Sequence, residues 1–118
     1  MIMRDASLTF EMTPGRLGGM VIRLVGPLTL SNLFELQTAL RNASPELMIF
    51  DLTEMPYMDS AGIGVIVNYF VSAEKRGRKM CLAGANERVL ALLEMMKLTK
   101  ILGCFKTVAD AEANVSEE

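Results

Sequence analysis

The segment from Leu47 to Gly77 places an unbroken apolar run, a short loop and a helical stripe in close succession. The run Leu47-Met48-Ile49-Phe50 is typical of a strand that is covered on both faces. After the loop, apolar residues recur at helical spacing: Ile63, Ile66, Val67 and Phe70. This pattern predicts a helix that begins at Ser60 and stops at Gly77. A buried strand that leads into such a helix indicates an α/β fold.

Two shorter segments near the N-terminus, Leu8 to Thr13 and Met20 to Leu24, alternate apolar and polar residues. This alternation is the period of half-buried strands. The connection between them contains residues with fixed or positive backbone angles: Pro14, Gly15, Gly18 and Gly19. An antiparallel hairpin is therefore predicted at the start of the chain.

The remaining segments continue the alternation of strands and helices. Thr29 or Ser31 is expected to cap a helix with the stripe Leu33, Leu36 and Leu40, and Asn86 to cap one with Val89, Leu92, Leu93 and Met96. Short strands are predicted at Lys79–Leu82 and Cys104–Val108, with a helix around Asp110–Val115. Helical crossovers make the later strands parallel. We therefore expect an α/β fold: one domain over residues 1–118, with a core of about 7–115, in which a small mixed sheet is packed against helices.

Charge and hydropathy argue against several classes of protein. Net charge is −2, and no segment interleaves bases with stacking aromatics, so direct binding to nucleic acid is not expected. Gly77, the expected end of a helix, is surrounded by four basic residues: Lys75, Arg76, Arg78 and Lys79. Their positive charges are expected to stabilise the negative end of the helix dipole. No apolar stretch is long enough to cross a membrane, and Met1–Ala6 lacks the apolar core of a secretion signal. A cytoplasmic protein with two free thiols, Cys81 and Cys104, is expected.

The residues needed for common catalytic schemes are missing. The chain contains no histidine, the usual general base near neutral pH and a common metal ligand. Asp51, Glu54 and Asp59 match no calcium loop, and Asp59 is expected to serve the helix N-terminus instead. Gly62 and Gly64 lack the rest of a dinucleotide fingerprint and are interpreted as close-packing positions. Neither an enzyme, nor a cofactor, nor a metal site is predicted.

The segment Ile49 to Val65 closely resembles the signature of the STAS family, in which an Asp-Ser pair precedes a small residue, Gly, an aliphatic residue and Gly at the start of the second helix. The resemblance extends to the hairpin, to Gly26-Pro27-Leu28 and to the order of elements. In bacterial anti-sigma factor antagonists of this family, the serine after the aspartate is phosphorylated by a partner that is both serine kinase and anti-sigma factor. That position is Ser60. Two departures are Ala61, where many relatives have a second hydroxyl, and Thr29, where studied antagonists have an acid.

The resemblance implies that the chain docks on an anti-sigma kinase, with a serine phosphatase as a second partner, and is a monomer or weak homodimer. The predicted contact residues are Thr29, Met55, Tyr57, Met58, Asp59, Ser60, Ala61, Gly62 and Ile63. Apolar loop residues suit an adaptable contact surface, although core packing explains one or two of them equally well. Other readings also stay open: Ser60 as a simple helix cap, a nucleotide-, lipid- or transporter-associated module, and a scaffold subunit.

Overall fold

The computed structural model describes residues 7–115, and the predicted domain limits at residues 1 and 118, like the N-terminal segment Met1–Ala6, lie outside that range. The elements in chain order are β1 (Thr9–Pro14), β2 (Met20–Val25), α1 (Phe34–Arg41), β3 (Leu47–Glu54), α2 (Ser60–Lys75), β4 (Lys79–Ala83), α3 (Glu87–Met95), α4 (Thr99–Leu102), β5 (Cys104–Phe105) and α5 (Val108–Val115). The predicted alternation of strands and helices is confirmed.

The strands form one sheet in the order β1-β2-β3-β4-β5. β1 and β2 pair antiparallel, from Thr9 opposite Val25 to Pro14 opposite Met20, which confirms the hairpin. β2, β3, β4 and β5 are parallel neighbours, as helical crossovers require. Carboxyl ends of parallel strands meet at the same edge, so the loop after β3 lies at that edge.

The central strand β3 contributes side chains to both faces of the sheet. Met48, Phe50 and Leu52 belong to the larger apolar cluster, to which α1, α2 and α3 add their stripes. The prediction is wrong for Met96, which follows the last residue of α3 and is 45% exposed. Ile49 faces a smaller cluster that α5 covers through Ala111. The continuous apolar run at residues 47–50 is thus a strand covered on both sides, as predicted.

Several helix and strand limits differ from the sequence prediction. Neither Thr29 nor Ser31 caps α1: their hydroxyl oxygens lie 2.9 Å apart, and α1 begins after Leu33 without a side-chain cap. The last strand ends at Phe105 instead of Val108 because Thr107 Oγ1 accepts a hydrogen bond from Asp110 N and starts α5. The one-turn helix α4 was not predicted.

The other structural expectations for this region concern the cysteines and the basic run. Cys81 is buried and Cys104 half-buried, and both are free thiols, as predicted. Burial raises the pKa of Cys81 to about 12, so that thiol stays protonated near neutral pH.

The helix α2 ends at Lys75, and Gly77 has a positive φ of 70°, which confirms the predicted stop. Among residues 7–115, no helix is both long and apolar enough to traverse a bilayer.

Candidate functional site

The N-terminus of α2 is organised by Asp59. Its backbone is extended, its Oδ1 accepts a hydrogen bond from Gly62 N at 2.9 Å, and its Oδ2 accepts one from Leu30 N at 3.1 Å. The first bond satisfies an amide that the helix itself leaves unpaired. The prediction that Asp59 serves this helix terminus is confirmed. The reading of Ser60 as the cap is wrong, because Asp59 holds that position.

Ser60 is the first helical residue and is exposed. Within the described part of the chain, no hydrogen bond engages its hydroxyl or the amides of Ser60 and Ala61. The next amides are occupied: Gly62 N donates to the Asp59 carboxylate, and Ile63 N donates to Asp59 O at 3.0 Å. The Ser60 hydroxyl is therefore open to solvent beside two available backbone donors, at the positive end of the helix dipole.

The loop before α2 is held in place by backbone contacts. Leu28 forms a parallel bridge with Met58, donates its amide to Tyr57 O at 3.2 Å and accepts from Asp59 N at 3.2 Å. On the other side, Asn86 Nδ2 donates to Met55 O at 3.1 Å, while Asn86 Oδ1 caps α3 as predicted. Ser60 is thus displayed on a fixed part of the scaffold.

The structure divides the predicted contact residues into surface and core. Met55 and Met58 are 1% and 6% exposed, so the alternative of core packing holds for these two side chains. Gly62 and Ile63 are buried as well. The residues that reach the surface, at least in part, are Thr29, Tyr57, Asp59, Ser60 and Ala61. Their role in partner binding stays a prediction.

Thr29 lies between Leu28 and Leu30, which both form hydrogen bonds with Asp59. Thr29 N donates to Asn32 Oδ1 at 2.9 Å, which shapes a turn, and the next residue, Leu30, donates to Asp59. Leu30 is 62% exposed, and Phe34, at the start of α1, is 63% exposed. We call Leu30, Tyr57, Asp59 and Ser60 the Ser60 surface; it joins an exposed serine to solvent-facing apolar groups.

Leu30 and Phe34 did not appear among the contact residues predicted from the sequence. A usable signal existed for Phe34, because it falls outside the buried stripe Leu33, Leu36 and Leu40. For Leu30 the signal is tertiary, since only folding places it beside Asp59. Arg88, on α3, lies over the ring of Tyr57 in the loop, with its Cζ 4.8 Å from the ring centroid. This cation–π contact favours one orientation of the exposed aromatic ring.

The two predicted close-packing glycines differ. A Cβ on Gly62 would lie 2.5 Å from Leu28 O, whereas one on Gly64 would meet nothing within 4 Å. The close-packing interpretation is therefore confirmed for Gly62 and wrong for Gly64. The absence of a side chain at Gly62 lets α2 approach the Leu28 backbone.

The carboxylates near the loop have protein partners. Asp51 Oδ1 accepts hydrogen bonds from Thr53 N at 3.1 Å and Thr53 Oγ1 at 2.6 Å. Glu54 forms an ion pair with Arg23 on the neighbouring strand. Together with the cap formed by Asp59, these contacts give each acid a local structural role.

Replacing Asp59 with alanine is expected to lower the free energy of unfolding by about 1–2 kcal/mol, because the cap to Gly62 and the bond to Leu30 are both lost. Urea denaturation measures this change. Asp110→Ala is the matched control, since Asp110 lies in the first turn of α5 and its carboxylate makes no hydrogen bond to another described residue. Its expected cost is about 0.3–0.5 kcal/mol. Equal losses in the two variants would contradict the capping role.

A model of the family described as STAS domain matches residues 11–111 of the chain. An anti-sigma-B factor antagonist of Listeria monocytogenes is 42% identical over 52 residues, or 44% of this chain and 46% of the relative. That match thus spans less than half of the Listeria protein. An anti-sigma F factor antagonist of Paenibacillus polymyxa is 29% identical over 109 residues, or 89% of this chain and 92% of the relative.

Solved structures share the fold. An anti-sigma factor antagonist from Mycobacterium paratuberculosis has a TM-score of 0.85 at 18% identity, with 93% of this chain and 95% of that one covered. The Bacillus cell fate determinant SpoIIAA, in its phosphorylated form, has a TM-score of 0.74 at 18% identity (91% and 99% covered). The STAS domain of a SulP transporter from Vibrio cholerae has a TM-score of 0.67 at 24% identity (90% and 89%). These likenesses confirm the predicted mixed sheet with packed helices.

Proposed function

This chain belongs to the STAS domain family, and we propose that it is an anti-sigma factor antagonist that binds a serine-kinase anti-sigma factor and is switched off by phosphorylation of Ser60. The observation that carries the proposal is the exposed, unbonded Ser60 hydroxyl at the first turn of α2. A kinase can reach this oxygen without unfolding the domain. The proposal assigns no catalytic residue to the chain and places it in the cytoplasm.

The relatives support this assignment in two ways. The curated relatives reported above are antagonists of anti-sigma factors, and one of them aligns over 89% of this chain. Phosphorylated SpoIIAA has the same fold, which is consistent with a scaffold that tolerates a phosphate. Because the curated relatives reported above are antagonists of anti-sigma factors, we place the accessory-module reading second.

The partner would dock on the Ser60 surface. Leu30 and Tyr57 supply exposed apolar area, and the rigid aromatic ring of Tyr57 is a type of group that anchors interfaces. Thr29 and Ala61 border this surface in the chain and belong to the proposed contact. The buried residues Met55, Met58, Gly62 and Ile63 support it from below, because they fix the loop and the start of α2. Sigma factor is released when the antagonist occupies its anti-sigma kinase.

Phosphorylation of Ser60 would weaken binding to the kinase because it adds negative charge at the contact surface. A phosphoserine carries about −1.5 to −2 charges at neutral pH. The free amides of Ser60 and Ala61 can satisfy part of this charge within the monomer. In a docked complex, the same charge would be desolvated beside the Asp59 carboxylate, which costs binding energy. The fold therefore persists while the affinity for the kinase falls.

Incubation with ATP and the cognate anti-sigma kinase is expected to add one phosphate, located at Ser60 by tandem mass spectrometry. Ser60→Ala should remain unmodified, because it removes the acceptor oxygen. Ser72→Ala is the matched control, since Ser72 lies on the same helix away from its first turn, and it should be phosphorylated like the unsubstituted chain. A phosphate on any other residue, or none at all, would overturn the assignment of Ser60.

A further inference from the structure

A cavity of about 250 Å³ lies between α1 and the C-terminal half of α2. Its apolar wall consists of Leu40, Val65, Tyr69 and Ala73, which are all buried. The lining residue nearest to Ser60 along α2 is Val65, about 7.5 Å away along the helix axis at 1.5 Å per residue, and no residue of the Ser60 surface lines the cavity. The cavity is therefore separate from the Ser60 surface, and ligand binding there would not depend on the proposed function.

Three arginines line this cavity: Arg41 from the end of α1, and Arg76 and Arg78 from the segment after α2. Its lining contains no aspartate or glutamate. This is an uneven distribution, because the whole chain has 14 acidic and 12 basic residues. The basic run was predicted from the sequence to mark a helix end. Two of its residues, Arg76 and Arg78, line this cavity together with Arg41.

The guanidinium groups are only weakly engaged. No hydrogen bond or ion pair to another described residue holds Arg41. Arg76 Nη1 donates to Ser44 Oγ at 3.3 Å, which involves no opposite charge. Arg78 Nη1 lies 3.8 Å from Glu46 Oε1, beyond hydrogen-bond distance, and Glu46 is 72% exposed, so this pair is worth little. Of these three guanidinium groups, only that of Arg78 therefore lies beside an opposite charge among the described residues.

The ends of the helices do not neutralise this charge. α1 and α2 both end at the cavity, and each C-terminus carries about −0.5 of an elementary charge. Two such termini offset about one of the three positive charges, and Glu46 beside Arg78 offsets part of another, so the cavity keeps a net positive charge. Burial raises the pKa of Tyr69, and the positive charges of Arg76 and Arg78 oppose that rise, in keeping with guanidinium groups near its phenol.

We propose that this cavity binds a small organic anion, whose phosphate or carboxylate meets the three arginines and whose apolar body packs against Leu40, Val65 and Tyr69. Guanidinium groups match both oxyanions in geometry and charge. Asn68 and Ser72 line the same space, and their side chains make no hydrogen bond to another described residue, so they are available to the ligand. A volume below the usual range for drug-sized sites limits the body to about one ring or a short acyl chain.

Phenyl phosphate is a suitable probe, with inorganic phosphate as the control for its charged part and benzyl alcohol as an uncharged compound with one ring. Titration into ¹⁵N-labelled protein is expected to shift the amide resonances of residues 65–73 in a saturable manner. Phenyl phosphate should bind about tenfold more tightly than inorganic phosphate, because it also buries apolar surface, and benzyl alcohol should cause no saturable shift. Equal binding of phenyl phosphate and inorganic phosphate would refute the apolar part of the proposal.

Arg41→Gln is expected to weaken phenyl phosphate binding about tenfold to a hundredfold, the usual effect of losing a charge-assisted hydrogen bond. Lys100→Gln, which removes one positive charge from exposed α4, should leave the affinity unchanged. Ser72→Phe retains all three arginines but fills the cavity, so it should abolish binding while the spectrum stays that of a folded protein. Absence of saturable shifts at about 10 mM probe, equal losses in the two charge variants, or undiminished binding to Ser72→Phe would each overturn the proposal.

Discussion

Ser60→Asp is expected to weaken binding to the anti-sigma kinase about a hundredfold, which corresponds to ~2.8 kcal/mol. The new carboxylate would stand beside Asp59, and docking would have to remove both charges from water. Ser60→Ala should keep the full affinity, because the serine hydroxyl makes no hydrogen bond that its loss would leave unsatisfied in the described structure. Isothermal titration calorimetry with the purified kinase measures both effects.

A charge elsewhere on the same helix provides the control for this experiment. Ser72→Asp adds the same charge twelve residues later, about 18 Å along the axis. That distance exceeds the Debye length of about 8 Å at physiological salt, so the kinase affinity should not change. All three variants should retain the circular dichroism of the parent chain. Equal affinities for Ser60→Asp and Ser60→Ala would contradict the charge switch.

Gly62→Ala is expected to destabilise the fold by about 3 kcal/mol and to lower Tm by about 10–15 °C. The added Cβ would lie 2.5 Å from Leu28 O and 2.9 Å from Leu28 Cγ. Leu28 cannot easily yield, because its backbone is hydrogen-bonded to Tyr57 and Asp59 and its side chain is completely buried. Relief of the overlap therefore requires α2 to move away from this segment.

Gly64→Ala is the matched control for this substitution, two residues further along the same helix. Its Cβ would meet nothing within 4 Å, so only helix propensity changes. Alanine should raise the free energy of unfolding by about 0.5–1 kcal/mol, which raises Tm by a few degrees. Differential scanning calorimetry of the pair tests the argument: opposite signs support the close approach at Gly62, and similar shifts would contradict it.

The order of strands and helices could be predicted because the periodic segments are unambiguous. The helix caps Asp59 and Asn86 could also be predicted, because each lies directly before a helix. The side-chain oxygen of each accepts a hydrogen bond from the backbone amide three residues later. Thr29 and Ser31 have suitable chemistry but bond to each other instead. Sequence alone does not show which of two competing local hydrogen bonds forms.

The position of Ser60 at a helix start could be predicted from the sequence, but the burial of the neighbouring loop residues could not. Ser60 occupies the predicted helix start, but Met55 and Met58 lie in a loop, where no periodicity separates inward from outward residues. The cavity depends on tertiary packing, because Arg41 and Arg78 are far apart in the chain until α1 and α2 come together. Contacts between such distant residues produce no local sequence pattern from which they could be predicted.

The two oxygens of Asp59 make position 30 respond to events at position 60. One oxygen holds the first turn of α2 and the other holds the amide of Leu30. A phosphate on the adjacent serine would repel this carboxylate, and the repulsion would also act on the segment that leads into α1. If Ser60 is modified as proposed, we expect one side chain to carry the effect to both halves of the surface that a partner would touch, without any rearrangement of the sheet.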